Sequence, residues 1–186
     1  YWCGVRTDPD NKHMGITLML IPMDDPGITI NGIWTMGDER TNEVWLDNVF
    51  VPDEYVVGEV NHGFRYISQA LDLERFTMFT YAPIKQRLDV LTEYVRTTER
   101  DGPPLKADPV VRARMAKLHT DAEVARVMGL NFVAEAVKVE ALVREGKPYQ
   151  PPTLQASEYK LFATELSKRL ADAAMDIGGP GTQLRV

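Results

Sequence analysis

In the stretch Leu71-Asp72-Leu73-Glu74-Arg75-Phe76, two carboxylates and a guanidinium are interleaved with bulky apolar side chains. Ala70, Met78 and Phe79 extend the apolar setting on both sides. A helix through this stretch brings at least one of the charges near apolar surface. A carboxylate held there is short of water, its ionised form is disfavoured, and its pKa rises toward the range where it serves as a general base at neutral pH. The guanidinium keeps its charge and suits a phosphate or a carbonyl oxygen. The same groups also suit a solvated, salt-bridged helix surface, which is the commoner fate of charged helix residues.

The remaining reactive side chains form no pattern. His13, His62 and His119 are far apart, without the HExxH or Cys/His spacing of a metal centre, so no metal site is expected. Ser68, Ser157 and Ser167 lack the GxSxG setting of a nucleophile elbow. Gly178-Gly179-Pro180-Gly181 does not carry the GxGxxG spacing between a strand and a helix, and by itself it is a helix stop with a tight turn. The single cysteine, Cys3, excludes a disulfide framework within the chain and every CxxC motif. A reducing, cytoplasmic setting is the expectation that follows.

The elements that must position these groups change character once, near residue 60. Before it, segments rich in β-branched and aromatic residues alternate with turn residues, which predicts antiparallel strands over 1–6, 16–23, 28–36 and 44–51. In the last of these, Val44, Leu46, Asn48 and Phe50 share one face and Trp45, Asp47, Val49 and Val51 the other. Both faces are expected to be half buried. After Gly63 the period becomes helical and predicts three long helices. The first contains Pro83 and should kink or break near Tyr81 and Ala82. The second, over 109–145, has Asp108 as N-cap and Pro109 at its first position, with a length on the order of 55 Å that suits a bundle. The third covers 153–176 and ends at the glycines.

The 186 residues are 44% hydrophobic and 26% charged, the balance of a globular chain. Asp and Glu number 27 against 21 Lys and Arg, for a net charge of −6 with the signs interspersed, which disfavours nucleic acid and anionic membrane as partners. No apolar run approaches the roughly 18 residues of a membrane span. The start lacks the basic segment of a signal peptide. An opening in mid-strand and a close just after a glycine cluster are expected of a piece cut from a longer protein.

Arg40-Thr41-Asn42-Glu43-Val44-Trp45-Leu46-Asp47-Asn48-Val49-Phe50-Val51-Pro52, followed by Val57-Gly58-Glu59-Val60-Asn61-His62-Gly63-Phe64, resembles the acyl-CoA dehydrogenase family. There a strand of pattern F-x-x-V-x-V-P, then G and G-x-G-F/W, closes the middle β domain and leads into a long helix carrying L-x-x-x-R. Leu71 to Arg75 is similar to that helix, and Ile177-Gly178-Gly179-Pro180-Gly181 to the family's Q-x-x-G-G-x-G. The resemblance implies an α+β fold, with the end of a middle β domain over 1–60 and the first helices of an up-and-down bundle over 61–186. It implies FAD as cofactor, an acyl-CoA thioester as substrate, removal of an α proton by a glutamate, and passage of a β hydride to the flavin N5. Glu74 has the position of the base in the isovaleryl-CoA and long-chain types, whereas most members carry it beyond the glycine motif. Asp72 and Arg75 match positions that contact the CoA portion, and Arg100, Gly178 and Gly179 are the cofactor-binding candidates. An electron-transfer acceptor protein and a homo- or hetero-tetramer with a homologous subunit complete the expected partners.

The departures are as specific as the matches. Relatives carry R-x-x-F-G-x-P-L-x-x-x-Q after the first helix, where the arginine, phenylalanine and glutamine hold the neighbouring subunit's FAD. This chain keeps Gly102 and Pro104-Leu105, but Asp101 replaces the aromatic, Pro109 replaces the glutamine, and the arginine is displaced to Arg100. The glutamine of the glycine motif is Met175. These losses leave open a non-catalytic partner subunit of a hetero-oligomer, or a flavin oxidase. Thr77 to Tyr81 and Pro83 replace small residues of relatives near the acyl chain, which leaves its length and bulk undetermined.

Overall fold

The structure, a computed structural model, describes residues 1–12, 14–77, 81–99, 102 and 104–183, the side chains of 76, 77 and 183 aside. Strands β1 (Trp2–Arg6), β2 (Ile16–Leu20), β3 (Ile28–Trp34), β4 (Arg40–Leu46) and β5 (Val56–Val57) precede four helices. These are α1 (Gly63–Thr77), α2 (Tyr81–Thr97), α3 (Pro109–Arg144) and α4 (Thr153–Gly178). The chain divides into two compact units, Tyr1–Ala70 and Leu71–Val186.

In the first unit β2 is the centre of an antiparallel sheet ordered β1-β2-β5, with Leu18 opposite both Gly4 and Val57. Successive strand residues point to opposite faces, and Thr17 and Leu18 are both buried, so β2 is covered on its two sides. The buried Thr17 hydroxyl is satisfied locally. Its Oγ1 accepts from the Asn61 N–H at 2.8 Å and shares a hydrogen bond with Thr7 Oγ1 at 2.6 Å. Gly58 has φ 74, and a Cβ there would lie 2.3 Å from the Tyr66 ring, so the turn into α1 accepts only glycine.

Strands β3 and β4 form a separate ribbon, in register from Ile28 opposite Leu46 to Trp34 opposite Arg40. This corrects the expected fourth strand, which begins at Arg40 and stops at Leu46 instead of running over 44–51. The stop is physical: Asn48 takes φ 53, outside extended geometry, and its amide donates to Asp47 Oδ1 at 2.9 Å. The expected half-burial of both faces also fails. Among the described residues the two strands pair only with each other, and β4 is exposed except at Val44. At the far end Asp38, with φ 63, turns the ribbon, so β3 ends at Trp34.

The second unit is helical, as the period after residue 63 predicts. The first of the three expected helices is described as two segments, α1 and α2; residues 78–80 between them, including Met78 and Phe79, lie outside the described residues, next to the expected kink. The Asp108 carboxylate caps α3 by accepting from Val110 N at 2.8 Å and Val111 N at 3.3 Å, with Pro109 at the first helical position. The helix ends at Gly146, φ 66, where Lys147 N donates to Leu142 O at 2.9 Å. The core joins Leu88 and Leu91 of α2, Leu118 and Ala125 of α3, and Tyr159, Ala163 and Leu166 of α4. Ala125 and Ala163 are fully buried, and small side chains at such points let helix axes approach closely.

Candidate functional site

The charged stretch lies in the last two turns of α1. Asp72 and Arg75 are one turn apart and therefore neighbours on the helix surface, paired at 3.2 Å between Oδ1 and Nη1. Both reach the start of α4. The Arg75 Nη1 donates to Ser157 Oγ at 3.1 Å, and Thr153 Oγ1 donates to Asp72 Oδ2 at 2.7 Å. Four side chains thus close a small network, with the Asp72 side chain 20% and the Arg75 side chain 42% exposed. The charge that settles near apolar surface is the paired Asp72, and pairing rather than isolation accommodates it.

Glu74 lies one residue before Arg75, about 100° around the helix, so it does not share the face that Asp72 and Arg75 turn to α4. It is exposed in this chain, and its helix neighbours Leu71 and Leu73 are 43% and 57% exposed. Sequence reasoning singled out Asp72, Glu74 and Arg75 but missed Thr153 and Ser157. Thr153 opens α4 and Ser157 is its fifth residue, and nothing local shows that these two hydroxyls serve a helix some eighty residues earlier.

The glycine turn lies at the other end of α4, roughly 30 Å from Ser157 at 1.5 Å per residue. Gly179, with φ 75, ends the helix, and its N–H donates to Met175 O at 2.9 Å. A Cβ on Gly178 would collide with Thr182, so that glycine serves the turn itself, whereas Gly181 has no atom within 4 Å of where a Cβ would lie. Arg100 and Asp101 lie outside the described residues. His119 Nε2 is hydrogen-bonded to Thr92 Oγ1 at 3.1 Å and His62 Nδ1 to Val60 O at 3.0 Å, while His13 lies outside the described residues. Among the described residues no three His, Cys, Asp or Glu side chains gather as a metal site. No described helix is long and apolar enough to cross a membrane.

Antiparallel strands followed by packed helices form a fold shared with solved acyl-CoA dehydrogenases. The family model described as "Acyl-CoA dehydrogenase, C-terminal domain" matches residues 61–184, and the chain belongs to the acyl-CoA dehydrogenase family. It is 34% identical to acyl-CoA dehydrogenase FadE34 of Mycobacterium tuberculosis over 96% of this chain and 23% of that protein. It is 28% identical to acyl-CoA dehydrogenase FadE26 of the same organism over 99% of this chain and 46% of that one. Among solved structures, the ChsE4–ChsE5 complex of Mycobacterium tuberculosis superposes with a TM-score of 0.77 at 28% identity, over 99% of this chain and 45% of that chain. The chain therefore spans less than half the length of these relatives.

Family membership implies FAD as the cofactor. The donor chemistry present fits part of that role. The turn after α4 exposes backbone, with open space at Gly181 where a bound group can approach. Side-chain donors are scarcer, since neither Met175 nor Pro109 offers an N–H or O–H. At Gly179 the main-chain groups are already used within the turn, the N–H on Met175 O and the carbonyl on Thr182 N and Oγ1.

Proposed function

We propose that the whole protein is an FAD-dependent acyl-CoA dehydrogenase that desaturates an acyl-CoA thioester between its α and β carbons, with Glu74 as the base that takes the α proton. Bound FAD supplies the electron-accepting chemistry. The observation that carries the residue assignment is the juxtaposition of Glu74 with an Asp72–Arg75 pair tied to α4, in a helix similar to the family's L-x-x-x-R segment. Such a tie holds the backbone of residue 74 in one rotation about the α1 axis, and a general base works only when its carboxylate oxygen reaches the proton it removes. Arg75 retains exposed surface and offers a permanent positive charge to the CoA portion, while Asp72 orients it. The match beginning at residue 61 supports reading 1–60 as the end of a middle β domain and 61–186 as the first helices of the C-terminal bundle. We further propose a homo- or hetero-tetramer and an electron-transfer protein as acceptor.

Glu74→Gln keeps shape and removes the proton acceptor. In the full-length, FAD-loaded protein, flavin reduction by substrate is expected to fall about 100-fold or more while flavin and acyl-CoA binding persist. Near-normal reduction in that variant, measured by stopped-flow absorbance, overturns the assignment of the base.

A further inference from the structure

The hydroxyls of Thr153 and Ser157 belong to no catalytic or cofactor position that the sequence motifs supply, yet both are spent on the helix that carries Glu74. We propose that Thr153 and Ser157 are positioning residues for the α-proton base, a role that rests on the Glu74 reading above. The two contacts are complementary in direction. Thr153 donates to the carboxylate of Asp72 at 2.7 Å, and Ser157 accepts from the guanidinium of Arg75 at 3.1 Å, while Asp72 and Arg75 hold each other at 3.2 Å. Hydrogen bonds with an ionised partner are the stronger class, and this site has three in series. Thr153 is the first residue of α4, whose N-cap position is Pro152 with no side-chain cap. The carboxylate of Asp72 thus lies beside the uncapped first turn of α4, held there by the Thr153 hydroxyl.

The geometry makes rotation of α1 about its axis the controlled coordinate. Asp72 and Arg75 fix two points one turn apart on the face turned to α4, and Glu74 projects from another face of the same turn. A side-chain group lies about 6 Å from a helix axis, so a rotation of about 10° carries a carboxylate on the order of 1 Å. Misplacement by about 1 Å is enough to slow an oriented reaction by up to about 100-fold. Loss of one of two anchors should therefore slow the chemical step by about 10-fold without removing any group that touches substrate.

The test uses the full-length, FAD-loaded protein and single-turnover flavin reduction by an acyl-CoA that reduces the unaltered protein. Thr153→Val removes the hydroxyl at nearly constant shape. The limiting rate is expected to fall about 10-fold, with the half-saturating acyl-CoA concentration within about twofold and the flavin content unchanged. Thr153→Ser is expected to restore the rate, because it returns the donor. Ser157→Ala should reproduce the loss, and the double variant should lose less than the product of the two, because both act on one rotation. If Thr153→Val loses flavin or fails to fold, Ser157→Ala decides. Full rates in Thr153→Val or, in that case, in Ser157→Ala, beside an inactive Glu74→Gln, overturn the positioning role and leave the base assignment intact. A normal rate in Glu74→Gln overturns the assignment on which the role rests.

Discussion

The two units of this chain are held together by different means. The helical unit buries a continuous set of apolar side chains from α2, α3 and α4, with Leu88, Leu166 and Tyr159 at 1% exposure and Ala125 and Ala163 at 0%. In the strand unit the buried apolar residues are Leu18 and Ile21, and the most buried side chain is the polar Thr17. Removal of apolar surface from water is non-directional and scales with area. A buried hydroxyl contributes only through specific partners and is costly without them. The difference therefore predicts that the helical unit answers to volume and the strand unit to hydrogen bonding. The tryptophans allow each to be read separately: Trp2, Trp34 and Trp45 all lie in the strand unit, so their fluorescence follows it, while far-ultraviolet circular dichroism follows mainly the helices.

The largest effect is expected from Leu166→Ala in the helical unit. A fully enclosed leucine reduced to a methyl leaves a cavity and destabilises by about 2–5 kcal/mol. The dichroism midpoint in a denaturant titration should fall sharply. A shift of equal size in the fluorescence midpoint would break the comparison by showing that the two units unfold together.

A smaller effect, confined to the strand unit, is expected from Thr17→Val. The change keeps the shape of the side chain but strands the Asn61 N–H, at about 1–3 kcal/mol, while the Thr7 hydroxyl keeps its bond to Asn61 Oδ1 at 2.6 Å. The fluorescence midpoint should move while the dichroism midpoint holds. An unchanged fluorescence midpoint would show that burial alone, not the hydrogen bonds, orders β2.

The smallest is a pH effect. Burial pushes the Tyr159 phenol above its ordinary value near 10, partly opposed by a backbone hydrogen bond at Tyr81. The folded state thus holds the phenol neutral more strongly than the unfolded chain does. This contribution is complete below the unfolded pKa and is lost as pH rises through the folded one. The helical unit should lose stability above about pH 10, and Tyr159→Phe should flatten that limb. An identical limb in the phenylalanine variant would assign it to another group.

What was legible in the sequence follows the range of each interaction. The Asp108 cap and Pro109 are local, as are the glycine turn after α4 and the switch from a period of two to a helical period, and the structure has them where the sequence places them. The extent of β4 was misjudged because the alternation of Val44 to Val51 continues past Asn48, whose left-handed backbone ends the strand; only a backbone angle reveals that. The split into a three-stranded sheet and a separate β3–β4 ribbon was not legible, since pairing is decided between distant segments, and the two-residue β5 carries almost no pattern. At the candidate site, Asp72, Glu74 and Arg75 stood out by charge among apolar neighbours. Thr153 and Ser157 did not, because their partners are 81 and 82 residues away.

Helix α3 has 36 residues, yet its last buried one is Phe132. Beyond it, about three turns have only the partly buried Ala136, Val139 and Leu142 beside their own backbone bonds and surface pairs such as Lys138 with Glu135 and Arg144 with Glu140, which stabilise little. In time rather than in space, α3 is two helices. Amide protons up to Phe132 exchange with solvent only when the bundle opens, whereas those of residues 133–144 exchange through local fraying at a far smaller free energy. Deuterium uptake across 133–144 is consequently a gauge of coverage: it is fast wherever that end of α3 stands bare, and it slows only if another surface settles on Val133, Val137 and Val143.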